Sequence, residues 1–154
     1  MKNIHLTFLF FGLLFFASCN KDDALSPTDQ LKKDIQIIEE YLADNNLVAD
    51  STASGLRYII DVEGTGNHPN LNDNVTIHYK GYYTDGEVFD QTTGSPRTFP
   101  LNNLIEGWKE GLQLFKKDGK GVLLIPSALG YGSRPPGGIR SNAVLIFDIE
   151  VVGF

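Results

Sequence analysis

Apolar positions follow three different patterns along this chain. Phe8 to Ala17 is an apolar run of ten residues, against the roughly 20 that a membrane-spanning helix needs. Leu31, Ile35, Ile38 and Leu42 then recur at helical spacing, with Asp34, Ile37 and Tyr41 on neighbouring faces. Ser26-Pro27-Thr28-Asp29 supplies a cap and an acidic first turn, which predicts a helix over 28–47. From Gly55 the period shortens. Leu56 to Val62 is rich in β-formers, and Val75, Ile77 and Tyr79 alternate with Thr76, His78 and Lys80. Thr84-Asp85-Gly86-Glu87 reads as a hairpin turn into Val88-Phe89-Asp90. Leu104, Trp108 and Leu112 are spaced i, i+4, i+8, and Asn102 or Asn103 can cap a helix running to about Phe115. Val122 to Ile125 is an apolar strand closed by Pro126. Ala143, Leu145, Phe147, Ile149 and Val151 share one face of a last strand. Between them, Ser127 to Asn142 is rich in Gly and Pro and too long for a simple connection; such ordered loops often carry function. Hairpins outnumbering helices predict an α+β fold, an antiparallel sheet packed on one short helix and preceded by an N-terminal helix.

The first apolar run follows Lys2 and ends in Ala17-Ser18, immediately before Cys19. A basic start, a short apolar middle and small residues describe a secretory signal. With the Cys next in line it resembles a bacterial lipoprotein signal over 1–18, with Phe16 where Leu is usual. The Cys19 lipid would tether a soluble domain to the membrane of the cell envelope, and the expected place is the outer membrane, on its periplasmic or surface side. A plain secretory signal with an incidental Cys is the alternative. Residues 19–27 form a linker. Its Asn20-Lys21-Asp22-Asp23 reads either as a solvated spacer or as a surface-export signal. The helix over 28–47 must cover its stripe, by packing on its own domain or by a dimer contact; a monomer is expected.

The 154 residues carry a formal net charge of −6, which loss of Lys2 takes to −7. That acidity, with scattered basic residues, excludes nucleic acid as a partner. One Cys permits no internal disulfide, and three His give no zinc-ligand spacing. No nucleophile elbow or phosphate loop is present, so neither metal nor cofactor is predicted. The remaining chemistry is aromatic. Tyr79, Phe89, Phe99, Trp108, Tyr131 and Phe147 each read singly as core. Two features shift that reading: Asp90 directly follows Phe89, a charge at the edge of an aromatic strand, and Tyr131 sits in the Gly-rich loop, where a core aromatic is less expected.

Val75-x-Ile77-His78-Tyr79-x-Gly81 followed by Asp85-Gly86-x-x-Phe89-Asp90 resembles the FKBP-type peptidyl-prolyl isomerases. So do Phe99-Pro100-Leu101, Ile105-x-Gly107-Trp108-x-x-Gly111-Leu112, Ile125-Pro126, Tyr131-Gly132 and Leu145-x-Phe147-Asp148-Ile149-Glu150. The blocks stand in the family's order and cover 55–154. The resemblance implies a twisted antiparallel sheet wrapped around a short helix, and cis/trans rotation of X-Pro bonds in proline-containing polypeptides. It implies Trp108 as the floor of a proline pocket, with Tyr79, Phe89, Phe99 and Phe147 as walls. Leu104 and Ile105 match the pair before the helix, and the Ile105 N–H would hold a substrate carbonyl. Asp90 matches the pocket-edge carboxylate, Tyr131 the loop tyrosine that bonds ligand, and Ile139 a flanking residue. Arg97, a shortened Gln91–Thr98 loop and Arg140-Ser141 depart from the pattern, and bear on substrate preference and on binding of the family's macrolide inhibitors. A lipid-anchored isomerase that assists folding of exported proteins is the expected function. A non-catalytic peptide-binding module or chaperone and a surface lipoprotein serving adhesion or assembly are the alternatives.

Overall fold

The structure, a computed structural model, describes residues 25–154. The predicted signal peptide, Cys19 and most of the linker lie outside the described residues. Helix α1 spans Pro27–Asp44, and the Ser26 side chain caps it by accepting from Asp29 N–H at 3.1 Å. It stops before residue 47 because Asn46 turns left-handed, with φ 54°. Asn46 N–H then reaches Ala43 O at 3.1 Å and Leu47 N–H reaches Leu42 O at 2.9 Å, satisfying the last carbonyls.

Seven antiparallel strands follow: β1 (Asp50–Ser51), β2 (Arg57–Val62), β3 (Asn74–Tyr82), β4 (Val88–Gln91), β5 (Arg97–Pro100), β6 (Lys120–Ile125) and β7 (Leu145–Gly153). Their order in the sheet is β1-β2-β6-β7-β3, and β4 and β5 both pair with the outer edge of β3. β5 takes its first half, with Val75 opposite Phe99, and β4 its second, with Gly81 opposite Asp90. The loop between them starts tied to the middle of β3, where Thr92 N–H donates to Tyr79 O at 2.9 Å.

The alternation predicted for β3 holds: Val75, Ile77 and Tyr79 are buried on one face. Leu123 and Ile125 of β6 join them there, as do Leu145, Phe147, Ile149 and Val151 of β7. Against this face lies helix α2 (Glu106–Gly111), flanked by one-turn 3-10 segments at Leu101–Asn103 and Leu112–Leu114. The α-helix is shorter than the spacing predicts, and Ile105 rather than Asn102 or Asn103 occupies its cap position, without a side-chain bond. Contact with the sheet explains the glycines of this segment. A Cβ on Gly107 would stand 2.5 Å from Ile125, and one on Gly111 2.6 Å from Leu123. Both positions need glycine for the helix to rest directly on β6, and glycine weakens a helix that is already brief.

The opposite face of the sheet carries α1. Ile38 and Leu42 are buried against Leu124, Val144 and Ile146. Full burial of each such side chain stabilises by roughly 1.5–3 kcal/mol. The helix stripe is thus covered within the chain, where the sequence alone allowed a dimer contact. Arg57 of β2 adds an ion pair to Glu39 at 2.9 Å.

Candidate active site

Between α2, the inner face of β3 and β7, and the 127–142 loop lies a cavity of about 290 Å³. The six aromatic residues singled out in the sequence all line it. Leu104, Ile105 and Ile139 do so as well, and Asp90 stands at its edge. Trp108 is the hub of the aromatic lining, with its ring nearly perpendicular to three others. Its centroid lies 5.1 Å from Tyr79, 5.0 Å from Phe147 and 6.1 Å from Phe99. Edge-to-face pairs at this separation are the favoured arrangement of aromatic quadrupoles. Phe89 meets Phe147 edge-on at 5.5 Å and is backed by Tyr83 at 5.0 Å.

Gly81 is what allows these rings to lie against the sheet. A Cβ there would come within 2.7 Å of both the Phe147 and the Phe89 rings. The Trp108 Nε1–H is buried and has no acceptor among the described residues. An unpaired buried donor costs about 1–3 kcal/mol, so shape and apolar area, rather than a hydrogen bond, are what Trp108 contributes.

The charged groups of the site, Asp90 and Arg97, are about half exposed. Tyr79 OH donates to Asp90 Oδ2 at 2.5 Å and accepts from Arg97 Nη1 at 3.0 Å. Arg97 also stands 3.7 Å from Asp90 Oδ1. Arg97 is thereby joined to the carboxylate of Asp90. Burial pushes the Tyr79 phenol up to about 12, and the Asp90 hydrogen bond and charge add to the rise. Burial raises Tyr131 too, again with help from the charge of Asp90. A phenol whose folded pKa lies above its unfolded value of 10 holds its proton more tightly in the native state. Its contribution to stability is complete below pH 10 and is lost as the pH rises through 12. The stability advantage of the wild type over Tyr79→Phe should therefore be constant from pH 7 to 9 and shrink above pH 10. Denaturant midpoints across that range check it, and an advantage that grew above pH 10 would contradict the assignment.

The long loop is fastened at its far end by Arg140. The guanidinium lies 4.1 Å over the Tyr83 ring, donates to Asp85 at 2.6 Å, and also pairs with Glu87. The Arg140 N–H donates to Tyr83 OH at 3.1 Å. This ties Arg140, next to Ile139, to the β3–β4 hairpin. Asn103 also lines the cavity; the sequence placed it only as a possible helix cap, and nothing in its local pattern marks it as lining. Ile105 O accepts the first bonds of α2, from Trp108 N–H at 2.9 Å and Lys109 N–H at 3.0 Å, while the Ile105 N–H donates to no backbone acceptor among the described residues.

A profile of the FKBP-type peptidyl-prolyl cis-trans isomerases matches residues 65–152. The chain belongs to that family. Relatives include "FKBP-type peptidyl-prolyl cis-trans isomerase FkpA" of Aeromonas hydrophila, 47% identical over 74% of this chain and 44% of the relative. The protein of the same name in Escherichia coli K12 is 38% identical over 88% of this chain and 49% of its own length. The crystal structure of FkpA from Escherichia coli superposes with a TM-score of 0.71 at 34% identity, covering 82% of this chain and 63% of that one. A peptidyl-prolyl cis-trans isomerase from Pseudomonas syringae pv. tomato gives 0.71 at 32% identity, covering 84% and 97%. The chain spans less than half the length of the curated relatives it matches. Its FKBP-type domain is thus common to proteins that carry further sequence. The fold shared with these structures is the one built above, an antiparallel sheet packed on a short helix.

Proposed function

We propose that this protein catalyses cis/trans isomerisation of X-Pro bonds in exported polypeptides, and that the aromatic cavity is its active site. The observation that carries the reading is an apolar cavity lined by Trp108 and five other aromatic residues, with a single carboxylate, Asp90, hydrogen-bonded to Tyr79. Rotation about a peptide bond is opposed by ~18–20 kcal/mol of amide resonance. X-Pro isomers are nearly balanced in energy yet exchange over tens of seconds or longer. The twisted transition state has lost resonance and is less dipolar than the planar imide. A dry aromatic box favours it relative to water, and that differential is catalysis. Trp108, Tyr79, Phe89, Phe99 and Phe147 supply the box. The Ile105 N–H holds a substrate carbonyl, Leu104 and Ile139 flank the proline ring, and Tyr131 bonds the peptide at the mouth. Asp90 orients or polarises the twisting bond. The same cavity would accept the family's macrolide inhibitors.

The test is cis-to-trans isomerisation of short X-Pro peptides by the purified protein. Asp90→Ala should lower kcat/KM about tenfold, the equivalent of ~1.4 kcal/mol of transition-state stabilisation. Full activity in folded Asp90→Ala would remove Asp90 from the mechanism. No acceleration by the wild type, with peptide still bound, would make the domain a peptide-binding module instead. The Lys2-to-Cys19 pattern supports lipidation at Cys19 and a place in the cell envelope. Incorporation of labelled palmitate, lost in Cys19→Ser, is the expected result.

A further inference from the structure

We propose that Asp34, on α1, is a positioning residue for the pocket, acting through Ser127 on the loop that carries Tyr131. The proposal rests on the isomerase reading above. Asp34 has no solvent exposure, although α1 lies on the face of the sheet opposite the cavity. Its Oδ2 accepts from both the N–H of Ser127, at 2.8 Å, and the Ser127 hydroxyl, at 2.6 Å. Its Oδ1 accepts from Gln30 Nε2 at 2.7 Å. Among the described residues no cation pairs with it. A carboxylate in such a place is costly and persists only when fully hydrogen-bonded. Its long-range partner is Ser127, so the carboxylate's particular contribution is its hold on that residue.

Ser127 passes that hold on. Its carbonyl accepts from Gly130 N–H at 3.0 Å and from Gly132 N–H at 2.8 Å, the two amides that flank Tyr131. Gly132 O in turn accepts from Asn142 N–H at 2.9 Å, tying the start of the loop to its end. Tyr131 OH has no hydrogen-bond partner among the described residues, so its backbone sets where the ring stands over the cavity. From the carboxylate to Tyr131 there are two hydrogen-bond steps, the first of them buried. The Arg140 clamp holds the other end through exposed ion pairs, which salt screens; the Asp34 end is dry and salt barely reaches it.

The two variants to compare in the full-length protein are Asp34→Ala and Asp34→Asn. Asparagine keeps an oxygen for Ser127, and the Gln30 amide can turn over to accept from the new NH₂. Alanine leaves both Ser127 donors without an acceptor. Asp34→Ala should raise KM for an X-Pro peptide about five- to tenfold, with kcat within about twofold. It should speed amide exchange at Gly130 and Gly132 while the β6 and β7 amides keep their protection. Asp34→Asn should restore both, and the KM change should persist at high salt. A general loss of stability would instead speed exchange everywhere and lower kcat at unchanged KM, which would overturn the proposal. Faster exchange at the two glycines with KM unchanged would overturn it as well. Should Asp34→Ala fail to fold, Ser127→Ala, which keeps the backbone bond, should show the same pattern at about two- to threefold. A wild type without turnover would sink the isomerase reading alone. The exchange pattern and the affinity for the same peptide would then decide the Asp34 link.

Discussion

Trp108→Ala should reduce kcat/KM for X-Pro peptides at least ~100-fold, an effect of ~2.7 kcal/mol on the barrier. The indole is in edge-to-face contact with Tyr79, Phe99 and Phe147, and its removal empties the floor of the cavity. Water would enter, and the dry surroundings that favour a twisted imide would be lost. The same change should cost about 3–5 kcal/mol of stability, because Trp108 is 5% exposed and its neighbours can collapse only partly. Activity and folding must therefore be read separately. Trp108→Phe does that. Phenylalanine keeps an apolar floor and removes the indole N–H that has no acceptor. Its stability cost should accordingly be smaller than its lost volume suggests, with kcat/KM reduced about tenfold. Near-UV circular dichroism and denaturant midpoints monitor the fold beside the peptide assay. A folded Trp108→Ala retaining more than a third of the wild-type kcat/KM would mean that the cavity floor takes no part in the rotation.

The lining of this cavity was largely legible in the chain because it is built from strand alternation and from blocks in a fixed order. Tyr79 follows Val75 and Ile77 at period two, so its face was determined once β3 was recognised. Phe147 follows Leu145 in the same way on β7. Asp90 and Tyr131 stood out because a charge and an aromatic ring occupied positions where neither core nor loop needs them. Longer-range partnerships were not legible. Asp34 and Ser127 are 93 residues apart, and the periodicity of α1 says only that Asp34 lies beside an apolar stripe. A carboxylate flanked by Leu31, Ile35 and Ile38 was the one available sign that something polar would be buried there. Arg140 is visible in the chain only as a basic residue late in the Gly-rich loop, and its stacking on Tyr83 depends on how the hairpin meets the loop. α2 starts later than the sequence pattern predicts for a related reason. Asparagines before an apolar run signal a cap, whereas here a 3-10 turn and an extended Leu104 intervene before the helix begins. That arrangement depends on Leu101 being buried in the core, which no local pattern expresses.

Gly121→Ala should be the most damaging single methyl in the domain, costing at least ~4 kcal/mol. Gly121 lies in β6 between Ile60 of β2 and Ile149 of β7. A Cβ built on it falls 1.8 Å from the carbonyl oxygen of Ile59 and 3.0 Å from the ring of Phe115. The first neighbour is backbone and cannot move aside as a flexible side chain would. Relief requires β2 to separate from β6, next to the register shift between Ile60 and Val62. That separation would break ladder hydrogen bonds and open the core beside Phe115. Gly153→Ala is the matching control. It too is a strand glycine, at the end of β7, yet a Cβ there meets nothing within 4 Å. Its substitution should change stability by no more than ~0.5 kcal/mol. Total stability for a domain of this kind is ~5–15 kcal/mol. Gly121→Ala should therefore leave the protein marginally folded or unfolded at 37 °C, and Gly153→Ala should unfold at the wild-type urea midpoint. Since the cavity is framed by β3, β7 and α2, the small folded fraction of Gly121→Ala should still isomerise peptide, in proportion to its population. Equal midpoints for the two variants would show that β2 and β6 approach less closely than the geometry requires.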